Sequence, residues 1–125
     1  MNEKKLLIAD DNPGIRRMLE HCLRADGRSL LTAEDGDAAV EMAKEHIPDL
    51  IILDVRMPGR DGYAVCSALR ADARTRLIPI MILTGLGSPE DEIKGIDGGA
   101  DAYMAKPFDL NEFQARVRAL LWRTA

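Results

Sequence analysis

Short apolar runs alternate with longer amphipathic segments along the chain, and most of these runs stop abruptly at a polar residue. The clearest run starts at Leu50 and ends in Asp54, shortly before Pro58 and Gly59. A continuous apolar run closed by turn residues is typical of a strand buried on both faces. The pattern predicts strands at about 5–9, 29–33, 49–54, 78–84 and 101–105.

Segments with helical spacing separate these strands and follow the last one. The predicted helices lie at about 13–26, 35–46, 60–73, 89–98 and 109–123. Their start signals are Asn12-Pro13, Asp35, Ser88-Pro89 and Asp109 with Glu112, and their stop signals are Gly27 and Gly98-Gly99. Alternating strands and helices predict right-handed crossovers and an α/β fold with a doubly wound parallel sheet. We expect residues 1–125 to form a single domain.

Composition narrows the class of protein. The 125 residues are 46% hydrophobic and 30% charged, which is typical of a globular domain. A net charge of −4 argues against nucleic acid as a direct partner, because phosphate contacts need a basic face. No apolar stretch is long enough to span a membrane and no secretory signal opens the chain, so we expect a cytoplasmic location.

The cysteines and histidines carry little functional signal. Cys22 and Cys66 fall on the apolar faces of different predicted helices, and we interpret both as small buried hydrophobes. His21 and His46 are far apart and show no metal-ligand spacing, so we interpret them as surface residues near helix ends.

The candidate chemistry lies at the ends of the predicted strands. Asp10-Asp11, Asp54, Thr84 and Lys106 directly follow or close four of the apolar runs. In an open parallel sheet, ligands bind beyond the carboxyl ends of the strands, where these side chains should converge. Clustered carboxylates repel one another and suit Mg²⁺ rather than a soft metal. With a hydroxyl and an ammonium for the phosphoryl oxygens, this set suits formation of an aspartyl phosphate.

Each of these residues also has a structural interpretation. An acid after a strand is commonly a helix cap or a turn former, and Asp10-Asp11 could simply open a capped helix. Thr84 could belong to an ordinary turn, and Lys106 could be a solvated loop charge. The recurrence of such residues at one edge of the same sheet favours the functional interpretation.

Over essentially its whole length, the chain resembles the receiver domain of bacterial two-component response regulators. The residues that carry the resemblance are the acids Asp10-Asp11, Asp54 with Met57-Pro58 and Asp61-Gly62 after it, Thr84, and Lys106-Pro107. The resemblance implies a (βα)5 flavodoxin-like fold with strand order 2-1-3-4-5. It also implies that a histidine kinase or phosphotransfer protein transfers a phosphoryl group to Asp54.

The resemblance further implies the remaining site roles. Asp10, Asp11, Asp54 and the backbone carbonyl of Arg56 would bind Mg²⁺, with Asp10 joining through water. Thr84 and Lys106 would hold the phosphoryl oxygens, and Lys106-Pro107 would form a cis peptide.

Three further positions bear on switching and on the lifetime of the phosphorylated form. Tyr103 lies where the family has its switch aromatic and would move inward as Thr84 moves toward the phosphate; otherwise it is a strand aromatic with its hydroxyl in solvent. Arg56 and Leu86 lie where the family tunes autodephosphorylation, so we expect a long-lived phosphorylated form.

The output surface is less well defined by the sequence. The predicted fourth helix is acidic and the fifth carries Arg116, Arg118 and Arg123, which would suit a homodimer formed on phosphorylation; the alternative is two solvated faces. We expect the output to be a downstream protein target or a covalently linked output domain outside these residues.

Three other classes of protein fit the pattern less well. A haloacid-dehalogenase-type phosphatase needs a second Asp where this chain has Arg56. A binding-only receiver would typically have lost one of its acids or Lys106. A flavodoxin-like electron carrier needs a phosphate loop where this chain has Asp10-Asp11.

Overall fold

The fold is described from a computed structural model that covers residues 4–24, 27–85, 99–105 and 109–122. The predicted helix at 89–98, with its cap Ser88-Pro89, lies outside these residues. So do Leu86, Lys106 and Pro107, and so the predicted cis peptide remains a prediction.

Five parallel strands form one sheet in the order β2-β1-β3-β4-β5, which confirms the predicted topology. The strands are β1 Lys5–Ala9, β2 Ser29–Ala33, β3 Leu50–Asp54, β4 Ile80–Thr84 and β5 Ala102–Ala105. Every residue of β3 and β4 is buried, as their unbroken apolar sequences predict for central strands covered on both faces.

Four helices are described: α1 Pro13–Arg24, α2 Gly36–His46, α3 Gly62–Ala71 and α4 Leu110–Trp122. The predicted caps on the described residues are present. Asn12 Oδ1 accepts from the backbone N–H of Gly14, Asp35 Oδ1 from Ala38, and Asp109 Oδ1 from Glu112. These bonds satisfy helix N–H groups that have no partner within the helix, so each helix begins where its cap residue lies.

The sheet separates two apolar clusters because side chains alternate across it. Ile51 and Leu53 of β3 pack with α2 and α3, whereas Leu50 and Ile52 pack with α1 and α4. Cys66 belongs to the first cluster, and burial raises the pKa of its thiol. Cys22 is only partly buried, so the prediction of a buried residue is correct for Cys66 alone.

Some predicted boundaries and faces are wrong in detail. The fourth strand begins at Ile80 rather than 78, because Ile78 N–H donates to Thr75 in a turn and Pro79 has no N–H for the sheet. Leu110 opens the last helix and is 43% exposed, although its spacing from Phe113 and Val117 predicts that it lies on the buried face.

Candidate functional site

Three carboxylates meet at the carboxyl ends of β1 and β3. Ala9 of β1 is paired with Leu53 of β3, so the next residues, Asp10 and Asp54, lie side by side at the strand ends. One oxygen from each of Asp10, Asp11 and Asp54 lies within 4.8 Å of the others. Asp10 and Asp54 are buried and Asp11 is exposed, so solvent reaches the cluster on the side of Asp11. The parallel arrangement thus brings together the three acids that the sequence singled out.

Asp10 is held by groups that follow it in the chain. Its Oδ1 accepts from the Asn12 N–H at 2.9 Å, and its backbone carbonyl accepts from Arg16 Nη1 at 2.6 Å. Its own N–H donates to Ala33 of the neighbouring strand. The loop that carries Asp10 and Asp11 is therefore tied to both β2 and the first turn of α1.

Asp54 is fixed by the backbone on either side of it. The Val55 N–H donates to Leu83 of β4, and the Gly62 N–H returns to the Val55 carbonyl at 2.9 Å. A Cβ on Gly62 would lie 2.5 Å from the Asp54 carbonyl oxygen, so α3 packs directly on the backbone of this residue. Only glycine allows that approach, because the Cβ of any other residue would clash with the Asp54 carbonyl.

Thr84 lies on the next strand, close to the same edge. Asp54 is paired with Leu83 and Thr84 follows it, with only 1% of Thr84 exposed. Thr84 is in turn paired with Ala105 of β5, the residue before Lys106. The register thus places Thr84 toward the acids, whereas Lys106 lies outside the described residues and its role remains a prediction.

Tyr103 is more buried than a strand aromatic with its hydroxyl in solvent would be. It is paired with Ile82 and packs against the cluster on the α2–α3 side of the sheet, with its hydroxyl oxygen buried. The interpretation of a strand aromatic with its hydroxyl in solvent is therefore wrong for this conformation. Arg56, by contrast, is exposed beside the site.

Sequence reasoning missed Arg16, which binds the backbone of Asp10. An Arg in the first turn of a helix after an acidic loop is a weak signal, because most such side chains are solvated. Gly62 is part of the Asp61-Gly62 motif, but the sequence alone does not show why glycine is needed there. Its close approach to Asp54 depends on how α3 packs, which no local pattern shows.

Known proteins with similar sequences and folds identify the class. A family model for the response regulator receiver domain matches residues 6–118. The chain therefore belongs to the response regulator receiver domain family, as the resemblance in its sequence indicated. Among the described residues, no helix is both long and apolar enough to cross a bilayer.

The relatives agree with this assignment. The chain is 47% identical over 120 residues to the DNA-binding dual master transcriptional regulator RpaA of Synechocystis, covering 96% of this chain and 50% of that protein. A crystal structure of a response regulator from Chloroflexus aurantiacus superposes with a TM-score of 0.91 at 38% identity, covering 96% of this chain and 98% of the other. The chain spans about half the length of the curated relatives it matches.

A further solved structure bears on the metal. The receiver domain of sensor histidine kinase PA1611 from Pseudomonas aeruginosa, described with a magnesium ion coordinated in its active site cleft, gives a TM-score of 0.88 at 31% identity. It covers 96% of this chain and 98% of its own. The carboxylate oxygens of Asp10, Asp11 and Asp54 are the hard, closely spaced donors that such an ion needs.

Proposed function

We propose that this chain is a phosphorylation-dependent signalling switch in which Asp54 accepts a phosphoryl group in a Mg²⁺-dependent reaction. The observation that carries the proposal is the convergence of three carboxylate oxygens within 4.8 Å at the end of β1 and β3. Two of these acids are buried, and like charges so close together are costly unless a cation offsets them. Family membership supports the same function.

The metal site in this proposal consists of Asp10, Asp11, Asp54 and the backbone carbonyl of Arg56. All four would supply oxygen donors, which Mg²⁺ prefers, with Asp10 contributing through a water molecule. When bound, the ion supplies positive charge that offsets the repulsion between an incoming phosphoryl group and the carboxylates. Because Asp11 is exposed, solvent and a donor can reach the site from that side.

Asp54 is the residue that accepts the phosphoryl group. An Asp54 carboxylate oxygen attacks phosphorus while the P–N bond of a phosphohistidine breaks, and the bonding electron pair stays on the imidazole nitrogen. The donor is a histidine kinase or a phosphotransfer protein. The Thr84 hydroxyl and the Lys106 ammonium then bind the phosphoryl oxygens.

The switch follows from the position of Thr84 between Asp54 and β5. Movement of Thr84 toward the phosphoryl group vacates space on the Tyr103 side of β4, and Tyr103 fills it. Reversing a 1:99 equilibrium requires about 5.5 kcal/mol, and two hydrogen bonds to a charged group supply roughly 3–6 kcal/mol. The phosphoryl contacts are therefore of the right size to drive the change.

The chain assists only its own phosphorylation and dephosphorylation in this proposal. Arg56 is exposed beside Asp54, where its guanidinium attracts the phosphoryl oxygens. With Leu86 hindering water, the phosphorylated form is long-lived. A half-life of seconds, unchanged in Arg56→Ala, would contradict this.

The output partner is a downstream protein or a linked output domain. The proposal draws on the length of the relatives, which is about twice the matched region, and on their names as transcriptional regulators. A homodimer formed on phosphorylation would use the surface of α4 and the predicted fourth helix. Sedimentation with and without beryllofluoride measures it directly.

The test compares Asp54→Asn with Asp49→Asn, which lies at the opposite end of the same strand region. Asp49 accepts a hydrogen bond from the Lys5 N–H, far from the acid cluster. With acetyl phosphate and Mg²⁺, we expect the wild type and Asp49→Asn to gain the mass of one phosphoryl group. Asp54→Asn should gain none, and chelation of Mg²⁺ should stop the reaction in the wild type and in Asp49→Asn. A mass gain that survives in Asp54→Asn contradicts the assignment of Asp54, and no gain in the wild type contradicts the function.

A further inference from the structure

The loop between β3 and α3, residues 55–61, is held from outside by the start of α2. The Gly36 N–H donates to the Pro58 carbonyl at 3.1 Å. One residue further on, Asp37 Oδ1 lies 3.1 Å from Arg60 Nε in an exposed ion pair. The first residues of α2 thus contact the middle and the end of this loop, although they are remote from it in sequence.

The contact depends on the absence of a side chain at Gly36. A Cβ built there would lie 1.9 Å from the Arg60 carbonyl oxygen and 2.7 Å from its carbonyl carbon. Gly36 is not among the glycines with positive φ, so this position needs space rather than an unusual backbone conformation. Because the obstacle is backbone, rotation of a side chain cannot relieve it, and a larger residue must displace the loop.

The same loop carries a backbone group of the proposed metal site. It starts immediately after Asp54 and includes Arg56, whose carbonyl is one of the proposed Mg²⁺ ligands. At its other end, Gly62 packs against the Asp54 carbonyl, with a Cβ distance of 2.5 Å. The loop is short and is fixed at both ends. A displacement at Arg60 would therefore shift Arg56 and Asp54 as well.

We propose that Gly36 is a positioning residue for the metal site: it lets α2 contact the loop at residues 58–60 and so fixes the Arg56 carbonyl. This inference rests on the proposed function. Gly36 has no side chain and does not touch the acids, so its role acts entirely through the position of the loop. Residues that orient metal ligands typically change metal affinity by about 10–100-fold when they are replaced.

Gly36→Ala tests the inference through Mg²⁺ affinity rather than activity. By titration calorimetry, we expect the Kd for Mg²⁺ to rise by about tenfold. At saturating Mg²⁺, we expect the rate of phosphorylation by acetyl phosphate to fall by less than about threefold, because the acids themselves are unchanged. A higher Kd with a nearly preserved maximal rate is the signature of positioning.

Val40→Ala is the matched control for lost stability. Val40 is a buried core residue of the same helix, and it forms neither the hydrogen bond to Pro58 nor the ion pair with Arg60. We expect Val40→Ala to unfold at lower urea concentration than the wild type but to bind Mg²⁺ with an unchanged Kd. Equal weakening of Mg²⁺ binding in both variants would mean that the effect is one of stability, and would overturn the inference.

A second variant decides the matter if Gly36→Ala does not fold. Gly59 lies in the exposed part of the loop with a φ of +76°, and a Cβ there would lie 2.8 Å from Asp37 Oδ2. Gly59→Ala disturbs the neighbouring contact between the loop and Asp37 with less risk to the core, and we expect a smaller rise in Kd, about threefold. An unchanged Kd in that variant overturns the inference.

The wild type separates this inference from the proposed function. If the wild type neither binds Mg²⁺ nor accepts a phosphoryl group, the proposed function fails. If the wild type does both and Gly36→Ala binds Mg²⁺ as tightly, only the role of Gly36 fails.

Discussion

At the scale of single residues, the three acids of the site place like charges close together. Two unit charges 4.8 Å apart repel by roughly 3–4 kcal/mol at an effective dielectric of 20, before solvent screening. Asp11 is exposed, so screening reduces its share strongly. Asp10 and Asp54 are buried, and Asp10 accepts a hydrogen bond from the Asn12 N–H.

Asp11→Asn should therefore stabilise the chain in the absence of Mg²⁺. We expect the free energy of unfolding to rise by up to about 1 kcal/mol, because one charge of the cluster is removed without disturbing the buried acids. Urea unfolding with and without Mg²⁺ measures this, and the added stability from Mg²⁺ should shrink in the variant.

Asp109→Asn is the control for this prediction. Asp109 caps α4 through its side-chain oxygen, and Asn caps helices equally well, so neither the stability nor the Mg²⁺ response should change much. A decrease in the stability of metal-free Asp11→Asn would show that the cluster is not repulsive.

At the scale of elements, Arg70 ties α3 to the edge of the sheet. Its guanidinium donates to the carbonyls of Gly99, Arg76 and Ile78 and to Asp101 Oδ2, at distances between 2.6 and 2.9 Å. Asp101 Oδ2 also accepts from the Ile80 N–H. One side chain thus joins the turn after α3 to the starts of β4 and β5.

Arg70→Met should lower the free energy of unfolding by about 2–3 kcal/mol, because several carbonyls lose this donor and Asp101 loses one of its hydrogen bonds while the packing of the stem remains. Thermal and urea unfolding followed by circular dichroism measure this loss. A change within experimental error would mean that water replaces the guanidinium without cost.

Arg74→Met is the matched control, since Arg74 forms an exposed pair with Asp72 on the same side of the molecule. Hydrogen bonds from Arg74 lower the pKa of Asp72 to about 2. We expect Arg74→Met to raise the pKa of Asp72 toward its usual range, which an NMR titration measures, and to cost less stability than Arg70→Met because the pair is exposed to solvent.

At the scale of the whole molecule, the sheet couples the two apolar clusters into one cooperative unit. Successive residues of β3 point into opposite clusters, so neither cluster can unfold without removing strand residues from the other. Phe113 of α4 is a fully buried member of the cluster that also contains parts of α1. Unfolding should therefore be a single transition.

Phe113→Ala should lower the free energy of unfolding by about 3–5 kcal/mol while the transition remains single. Circular dichroism in the far and near ultraviolet should give coincident curves, because both clusters are lost together. Two separated transitions would contradict the coupling.

Trp122 gives an internal control for that experiment. It is the one tryptophan of the chain and is 81% exposed, so its emission maximum should shift little when the chain unfolds. Trp122→Phe should change the free energy of unfolding far less than Phe113→Ala does.

The elements and the identity of the acids could be predicted from the sequence. The strands end within two residues of their predicted bounds because apolar runs and the punctuating Asp, Pro and Gly residues act over a few neighbouring positions. The same local signals placed the caps at Asn12, Asp35 and Asp109. Parallel order then puts Asp10 and Asp54 at one edge without further information.

Tertiary structure alone decided which distant groups touch and which faces stay exposed. The contact of Gly36 with Arg60, that of Gly62 with Asp54, and the exposure of Leu110 depend on the packing of helices against loops and sheet. The spacing of apolar residues along one segment does not carry that information, because these contacts depend on how the chain crosses over the sheet and how closely the helices pack on it. The sequence by itself therefore determined the fold and the acids of the site, whereas the support that holds those acids in position was decided by contacts between remote segments.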